Sequence, residues 1–202
     1  MIVKKNDDKS IEILVSALQN GEVVIIPTDT VYGFSGIVDE KKFTDSKIRK
    51  IKGREENKPF IQLISSPDEI FKYTNDSIPQ KLLDCWPGAL TLIVNDKKGG
   101  TTAFRCPGDN WLREIIEKVG FPLYSTSVNK SGFPILECEE EIISVFESEV
   151  SVIVLDGDKK NALPSTLVKV ENDTVWLNRS QLALLFGRDV KTIGKHINNA
   201  LR

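Results

Sequence analysis

Val23-Val24-Ile25-Ile26-Pro27-Thr28-Asp29-Thr30-Val31-Tyr32-Gly33 is the stretch whose reading decides the fold. Four consecutive β-branched residues without polar alternation read as a strand buried on both faces, which needs helices above and below it. Pro27 has no N–H to give to a ladder and stops the strand. Three hydroxyls and a carboxylate then fall within five residues, ahead of a glycine. In open α/β sheets ligands lie beyond strand ends, where hydroxyls serve oxygen-rich groups. The same residues also fit a plainer reading, an Asp/Thr-rich turn that bonds its own backbone.

Working outward, Ile11, Leu14, Val15 and Leu18 recur at helical spacing, with Ser10 as cap and Gly21 as stop. A helix is expected over 42–52, with Phe43, Ile48 and Ile51 inward and Gly53 ending it. Strands are expected over 59–64, 90–94, 102–105, 122–127 and 152–155. Helices are expected from Pro67, over 111–119 and over 139–146. Strands and helices intermix without strict alternation. The expectation is an α/β fold, one twisted mixed sheet with flanking helices rather than a closed barrel. From Trp176 the apolar residues return to helical spacing, broken at Gly187-Arg188-Asp189, with Ser180 and Asp189 as caps. The expected organisation is a main domain over 1–172 and a short C-terminal helical pair over 173–202.

A chain of 202 residues fits one such domain. With 27 basic against 29 acidic side chains, its net charge of −2 excludes wholesale attraction to nucleic acid or an anionic membrane. Cys85, Cys106 and Cys138 are an odd number without C-x-x-C spacing, so no disulfide framework or zinc ribbon is indicated. The single histidine, His196, excludes a His-rich metal centre, and no metal-ligating set is assigned. The N-terminus does not read as a signal peptide, and Val23–Ile26 is far short of the ~20 apolar residues a membrane span takes. Free thiols without an export signal point to the cytoplasm.

Two further segments carry chemistry. In Lys47–Lys58, a solvated helix face accounts for Lys47, Arg49 and Lys50. Lys52 and Arg54 flank Gly53, and alternate residues of a turning backbone can converge on one anion. In Ser125-Thr126-Ser127-Val128-Asn129-Lys130-Ser131-Gly132, Ser127 and Asn129 alternate onto one side; a polar loop explains the same residues without a ligand. Arg105, in Arg105-Cys106-Pro107, adds a cation at another strand end.

Together these segments cease to be generic. Pro27–Gly33, Lys52-Gly53-Arg54 with Lys58-Pro59-Phe60, Trp86-Pro87-Gly88-Ala89-Leu90-Thr91, Ser127–Gly132 and Pro164-Ser165-Thr166 occur in the order and approximate spacing of the YrdC/Sua5 family. The resemblance runs from about Val3 to about Val170. It implies a partly open, barrel-like groove and threonylcarbamoyl-AMP synthase activity. L-threonine, bicarbonate or CO2, and ATP would yield threonylcarbamoyladenylate and pyrophosphate. The product serves N6-threonylcarbamoyl modification of adenosine 37 in tRNA through a downstream transferase. The resemblance implies Lys52, Arg54, Ser127 and Asn129 as catalytic residues, and Thr28, Thr30, Tyr32 and Lys52 around threonine. Around the nucleotide it implies Arg54, Lys58, Arg105, Ser127, Asn129, Ser165 and Arg179. Mg2+ is implied by ATP, not by any ligand cluster here.

The chain departs from the family in two places. Asp109 stands where many relatives have histidine, placing an acid near the groove mouth. The usual terminal Leu-Arg-x-Gly strand is matched only by Leu177-Asn178-Arg179. The segment from about Thr174 to Leu201 resembles instead the helix-turn-helix start of RhuM-type proteins. Such a motif needs a third helix for its core, so a pair packed on the main domain is expected. The competing readings are an RNA- or DNA-binding module, with RNA contact in the groove, and a nucleotide-binding paralogue without turnover.

Overall fold

The computed structural model describes residues 1–55, 59–171 and 174–176. Lys58, Arg179, His196 and the C-terminal helical pair expected beyond Trp176 lie outside the described residues.

Strand β2 (Val24–Ile26) is buried on both faces, as its unbroken apolar run demands. Val24 and Ile26 enter a core beneath α1 (Ser10–Gln19) and α4 (Asn110–Val119), among Leu14, Leu18, Leu112 and Ile115. Ile25 points the opposite way, into a core closed by α2 (Thr44–Lys52) and α5 (Glu139–Phe146), with Phe34, Ile48, Ile142 and Phe146. Burying side chains of this size stabilises by ~1.5–3 kcal/mol each.

The sheet is completed by β1 (Ile2–Lys4), β3 (Gly33–Ile37), β4 (Ile61–Leu63), β5 (Leu90–Asn95), β6 (Thr101–Arg105), β7 (Leu123–Ser127), β8 (Val152–Leu155), β9 (Thr166–Glu171) and β10 (Thr174–Trp176). Among the described residues the order is β1-β8-β2-β3-β7-β4-β6-β5-β9-β10. Parallel pairings join β1 to β8, β8 to β2, β4 to β6 and β5 to β9, and the others are antiparallel. The mixed α/β sheet with flanking helices is as expected.

Helix cover decides where the site lies. On the face of Val24 and Ile26, α1 and α4 reach across to Leu63 and Leu123 and stop there. On the opposite face a third core, with Leu92, Phe104 and Val168, is covered by Ile70 of a 3₁₀ helix (Pro67–Lys72), by Leu82 of α3 (Gln80–Leu83) and by Trp86. The strand half carrying Gly33, Ser125, Ile61, Ala103 and Ile93 is left open on the first face, and these residues line a cleft.

Several local expectations change. Ser10 is the first helical residue rather than the cap, and its hydroxyl donates to Lys5 O at 2.8 Å. Phe43, expected inward, has φ 54 and is 66% exposed ahead of α2. Buried Thr44 faces the core there instead, its hydroxyl donating to Ile37 O. The helix expected at Pro67 is a six-residue 3₁₀ helix. Strands β1, β3 and β9 and helix α3 are additional to the sequence expectations. In β3 the glycines hide the strand, yet they are needed: a Cβ on Gly36 would stand 2.9 Å from Thr44 Cβ. Trp176 is the last residue of β10, paired with Lys169, rather than the start of a helix.

Candidate active site

The end of α2 separates two cations. Gly53 adopts φ 62, and a Schellman motif closes the helix: Gly53 N–H donates to Lys50 O and Arg54 N–H to Arg49 O. The chain reverses there, so Lys52 turns inward while Arg54 is carried round to the open cleft.

Lys52 is 3% exposed. Its ammonium donates to Ser127 O at 2.5 Å, Asn129 O at 2.9 Å and Asn129 Oδ1 at 2.8 Å, using all three of its protons. Nζ also lies 5.3 Å from the Phe34 ring centroid. Burial, with a smaller contribution from nearby Arg54, pulls its pKa from 10.5 to about 8. Ser127 Oγ donates to the same Asn129 Oδ1 at 2.8 Å, and Asn129 Nδ2 donates to Phe133 O at 2.7 Å. Lys52, Ser127 and Asn129 thus form one closed network that fixes the turn after β7.

A second lysine ties that turn back to α2. Lys130 Nζ donates to Ile51 O at 2.7 Å and pairs with Glu149 at 2.8 Å, while Ser131 N–H donates to Lys52 O at 2.7 Å. A cation on a carbonyl of the last helical turn also opposes the helix dipole.

Arg54 lines the cleft and remains under-satisfied. Nη1 donates to Thr126 Oγ1 at 3.3 Å and Nη2 to Pro59 O at 3.0 Å. Its Nε is buried without a partner, and it has no carboxylate among the described residues. Its guanidinium lies 5.0 Å from the Phe60 centroid. Burial, then Arg49, lowers its pKa from the usual arginine value.

On the other wall Arg105 is fully committed to the protein. It donates to Asp29 Oδ1 at 2.6 Å, Thr30 Oγ1 at 2.8 Å and Gly88 O at 3.0 Å, and Asp29 Oδ2 also accepts Gly108 N–H. Burial lowers its pKa, and Asp29 works against that. The chain of bonds continues from Thr30 Oγ1 to Thr28 Oγ1 at 2.9 Å, and Thr28 Oγ1 donates to Val31 O at 2.7 Å.

These residues enclose a cleft of ≈300 Å³ floored by small side chains: Gly33, Ser125, Ser127 and Ala103. Ile93, Ile135 and Leu167 form its apolar side, and Ser165, bonded to Thr91 Oγ1 at 2.7 Å, lies at its edge. A volume of this order suits small-molecule recognition. A wider, shallower depression of ≈530 Å³ between α2 and residues 148–151 carries none of the hydroxyl-rich turns. A family model described as "Telomere recombination", covering Sua5, YciO and YrdC, matches residues 16–180. The chain belongs to the Sua5/YciO/YrdC family.

A member from Methanocaldococcus jannaschii is 33% identical over 177 residues, 83% of each chain. The threonylcarbamoyl-AMP synthase of Pseudoalteromonas translucida is 26% identical over 185 residues, 85% of this chain and 98% of that one. The crystal structure of P. abyssi Sua5 complexed with L-threonine superposes with a TM-score of 0.76 at 23% identity, over 93% of this chain. The present chain spans 61% of that protein, and the likeness is one of fold.

Within this Sua5/YciO/YrdC domain, Lys52, Arg54, Ser127 and Asn129 come together as the sequence suggests. The two cations take different places: Lys52 sits behind the Ser127–Asn129 turn, and Arg54 alone of the two lines the cleft. Thr28, Thr30, Arg105 and Ser165 line the cleft too, but the two threonines and Arg105 are tied into a bonded chain that also takes in Asp29, Gly88 and Val31. Tyr32 also lines the cleft, but it is anchored from behind. Its ring is in the second core, and its hydroxyl is bonded to Glu139, Gly157 O and Asp156 N–H. Burial raises its pKa. Asp109 is no free acid at the groove mouth: it caps α4 through Trp111 N–H and pairs with Lys5 at 2.7 Å. Sequence reasoning passes over Asp29 and Lys130 as positioning groups. Their signal is only charge within a motif, since their partners lie 76 and 19 or more residues away.

Among the described residues no group of three or more His, Cys, Asp or Glu side chains could hold a metal. The carboxylate bonded to Arg105, Asp29, has both oxygens occupied. Among the described residues no protein cluster stands ready to hold magnesium apart from a nucleotide's phosphates. No helix among the described residues is long and apolar enough to cross a membrane.

Proposed function

We propose that the chain is a threonylcarbamoyl-AMP synthase, forming L-threonylcarbamoyladenylate and pyrophosphate from L-threonine, bicarbonate or CO2, and ATP. The observation that carries this reading is Arg54: a guanidinium with a buried, unpaired Nε and no carboxylate partner among the described residues, lining a hydroxyl-floored cleft. A cation so placed awaits an anion. The synthase named among the relatives supports the identity of that anion's owner.

In this reaction the threonine nitrogen, freed of its proton, attacks the bicarbonate carbon; a C–N bond forms and the elements of water leave. The new carboxylate oxygen attacks the α-phosphorus, and the bond to pyrophosphate breaks. The protein needs no nucleophile of its own. Its task is to gather anions and hold the carboxylate in line, which fixed donors and charges accomplish. Arg54 offsets the amino-acid carboxylate and the phosphates. Lys52 contributes its charge from behind the turn and holds Ser127 and Asn129 in register. Arg105 and Asn129 act mainly through the walls they fix, and Ser127 keeps acceptor lone pairs for the nucleotide. Magnesium would arrive with the ATP phosphates. The adenylate would then pass to a transferase acting on tRNA.

The test is pyrophosphate release from ATP by the full chain. Release that requires both threonine and bicarbonate is expected, and release indifferent to threonine would contradict the reading.

A further inference from the structure

One part of the cleft is left without a task by that reading. Ser125 and Ser35 are cross-strand partners in the β3–β7 ladder, so their side chains share a face. Ser35 is completely buried, and its Oγ has no hydrogen-bond partner. Ser125 lines the cleft, and no bond of its hydroxyl to the protein is found. Every other hydroxyl lining this cleft, on Thr28, Thr30, Tyr32, Thr126, Ser127 and Ser165, bonds to a protein group. Space is reserved above Ser125: a Cβ on Gly33 would come to 3.1 Å from its Oγ. Ser35 Oγ is the buried unpaired atom, and half-buried Ser125 beside it is the hydroxyl that a group in the cleft can reach.

We infer that Ser125, with Ser35 beside it on the same face of the sheet, is a substrate-contacting position that reads a hydroxyl group of the bound reactants. Under the proposed function two reactant groups share that chemistry, the β-hydroxyl of threonine and the ribose hydroxyls of ATP. Apolar walls alone discriminate poorly against a missing hydroxyl, whereas a site built to bond it rejects the analogue that lacks it. A serine at 125, against Gly33, would supply that selectivity without altering the cation at Arg54.

Calorimetric titration of the full chain decides the matter, with three ligand pairings: L-threonine against L-2-aminobutyrate, and ATP against its 2′-deoxy and its 3′-deoxy form. Ser125→Ala is expected to weaken one hydroxyl-bearing ligand about tenfold while leaving its deoxy analogue within about twofold. The pair affected identifies which hydroxyl is read. Ser125→Thr, which keeps the oxygen, should retain the preference. Equal losses on a ligand and its deoxy analogue, no loss on any, or a wild type indifferent to all the missing hydroxyls would overturn the inference. Should Ser125→Ala unfold, the wild-type preferences still judge it. A wild type that binds neither threonine nor ATP overturns the proposed function together with this inference, a result distinct from binding without hydroxyl preference.

Discussion

Replacing Lys52 by methionine removes a buried ammonium and keeps an unbranched stem of similar length. Three acceptors lose their donor: Ser127 O, Asn129 O and Asn129 Oδ1. Both residues are half-buried, so water can reach them, and each lost bond costs about 1 kcal/mol. Against that loss stands the burial of the charge itself. A fall in pKa from 10.5 to about 8 corresponds to about 3 kcal/mol held against the charged form, which methionine no longer bears. The two terms are of similar size and opposite sign. Lys52→Met should therefore change stability by about 1 kcal/mol or less, moving Tm by about 4 °C or less. Activity should respond differently, because the turn loses its anchor and the cleft a positive charge held just behind it. A fall of about 10²-fold in kcat/KM is expected, on the scale of losing a fixed electrostatic donor. Thermal unfolding by circular dichroism, run beside threonine-dependent pyrophosphate release, checks both. A Tm lowered by more than about 10 °C, or release retained at the wild-type rate, would refute this reasoning.

Other outcomes follow from the same contacts. Between pH 8 and 10.5 the unfolded chain holds the Lys52 proton that the folded chain has released, so this group makes stability rise with pH there. The difference between wild type and Lys52→Met in urea unfolding should show that slope, and parallel curves would remove Lys52 as its source. Asp29→Asn leaves buried Arg105 without its carboxylate and should cost about 2 kcal/mol, discounted because Asp29 is partly exposed; an unchanged urea midpoint would contradict this. Gly36→Ala forces a methyl to within 2.9 Å of Thr44 Cβ and should cost ~1–3 kcal/mol through overpacking, read as a lower urea midpoint at unchanged slope.

Much of the architecture was legible in residues 10–26 and 111–155. Period-3.6 helices and the unbroken Val23–Ile26 run require the layers found, and Gly53 and Gly120 mark helix ends with their left-handed φ. Strand β3 was not legible, because Gly33, Ser35 and Gly36 are poor strand formers chosen for space: for the cleft at one end, for Thr44 at the other. The alternating Leu167, Val168, Lys169 and Val170 of β9 did carry a strand signal, masked by the adjoining Pro164-Ser165-Thr166 turn.

At the site, local spacing singles out the Lys52/Arg54 and Ser127/Asn129 pairs but does not show how the chain places each side chain. Alternation suggests that Lys52 and Arg54 share an anion, yet the Schellman reversal at Gly53 sends them to different places. Tyr32 lines the cleft, but its hydroxyl partners Glu139, Asp156 and Gly157 are more than 100 residues away and leave no local trace. Ser125 and Ser35 become notable only when the register sets them side by side.

The central claim is that one cleft brings threonine, an inorganic carbon unit and ATP together. Incubating the full chain with ¹³C-bicarbonate, threonine and ATP, and weighing the nucleotide products by mass spectrometry, tests it most directly. An adenylate carrying both threonine and the labelled carbon is expected, lost on Arg54→Ala while the fold persists. Pyrophosphate and AMP formed at the same rate without threonine, and no labelled adenylate, would contradict it.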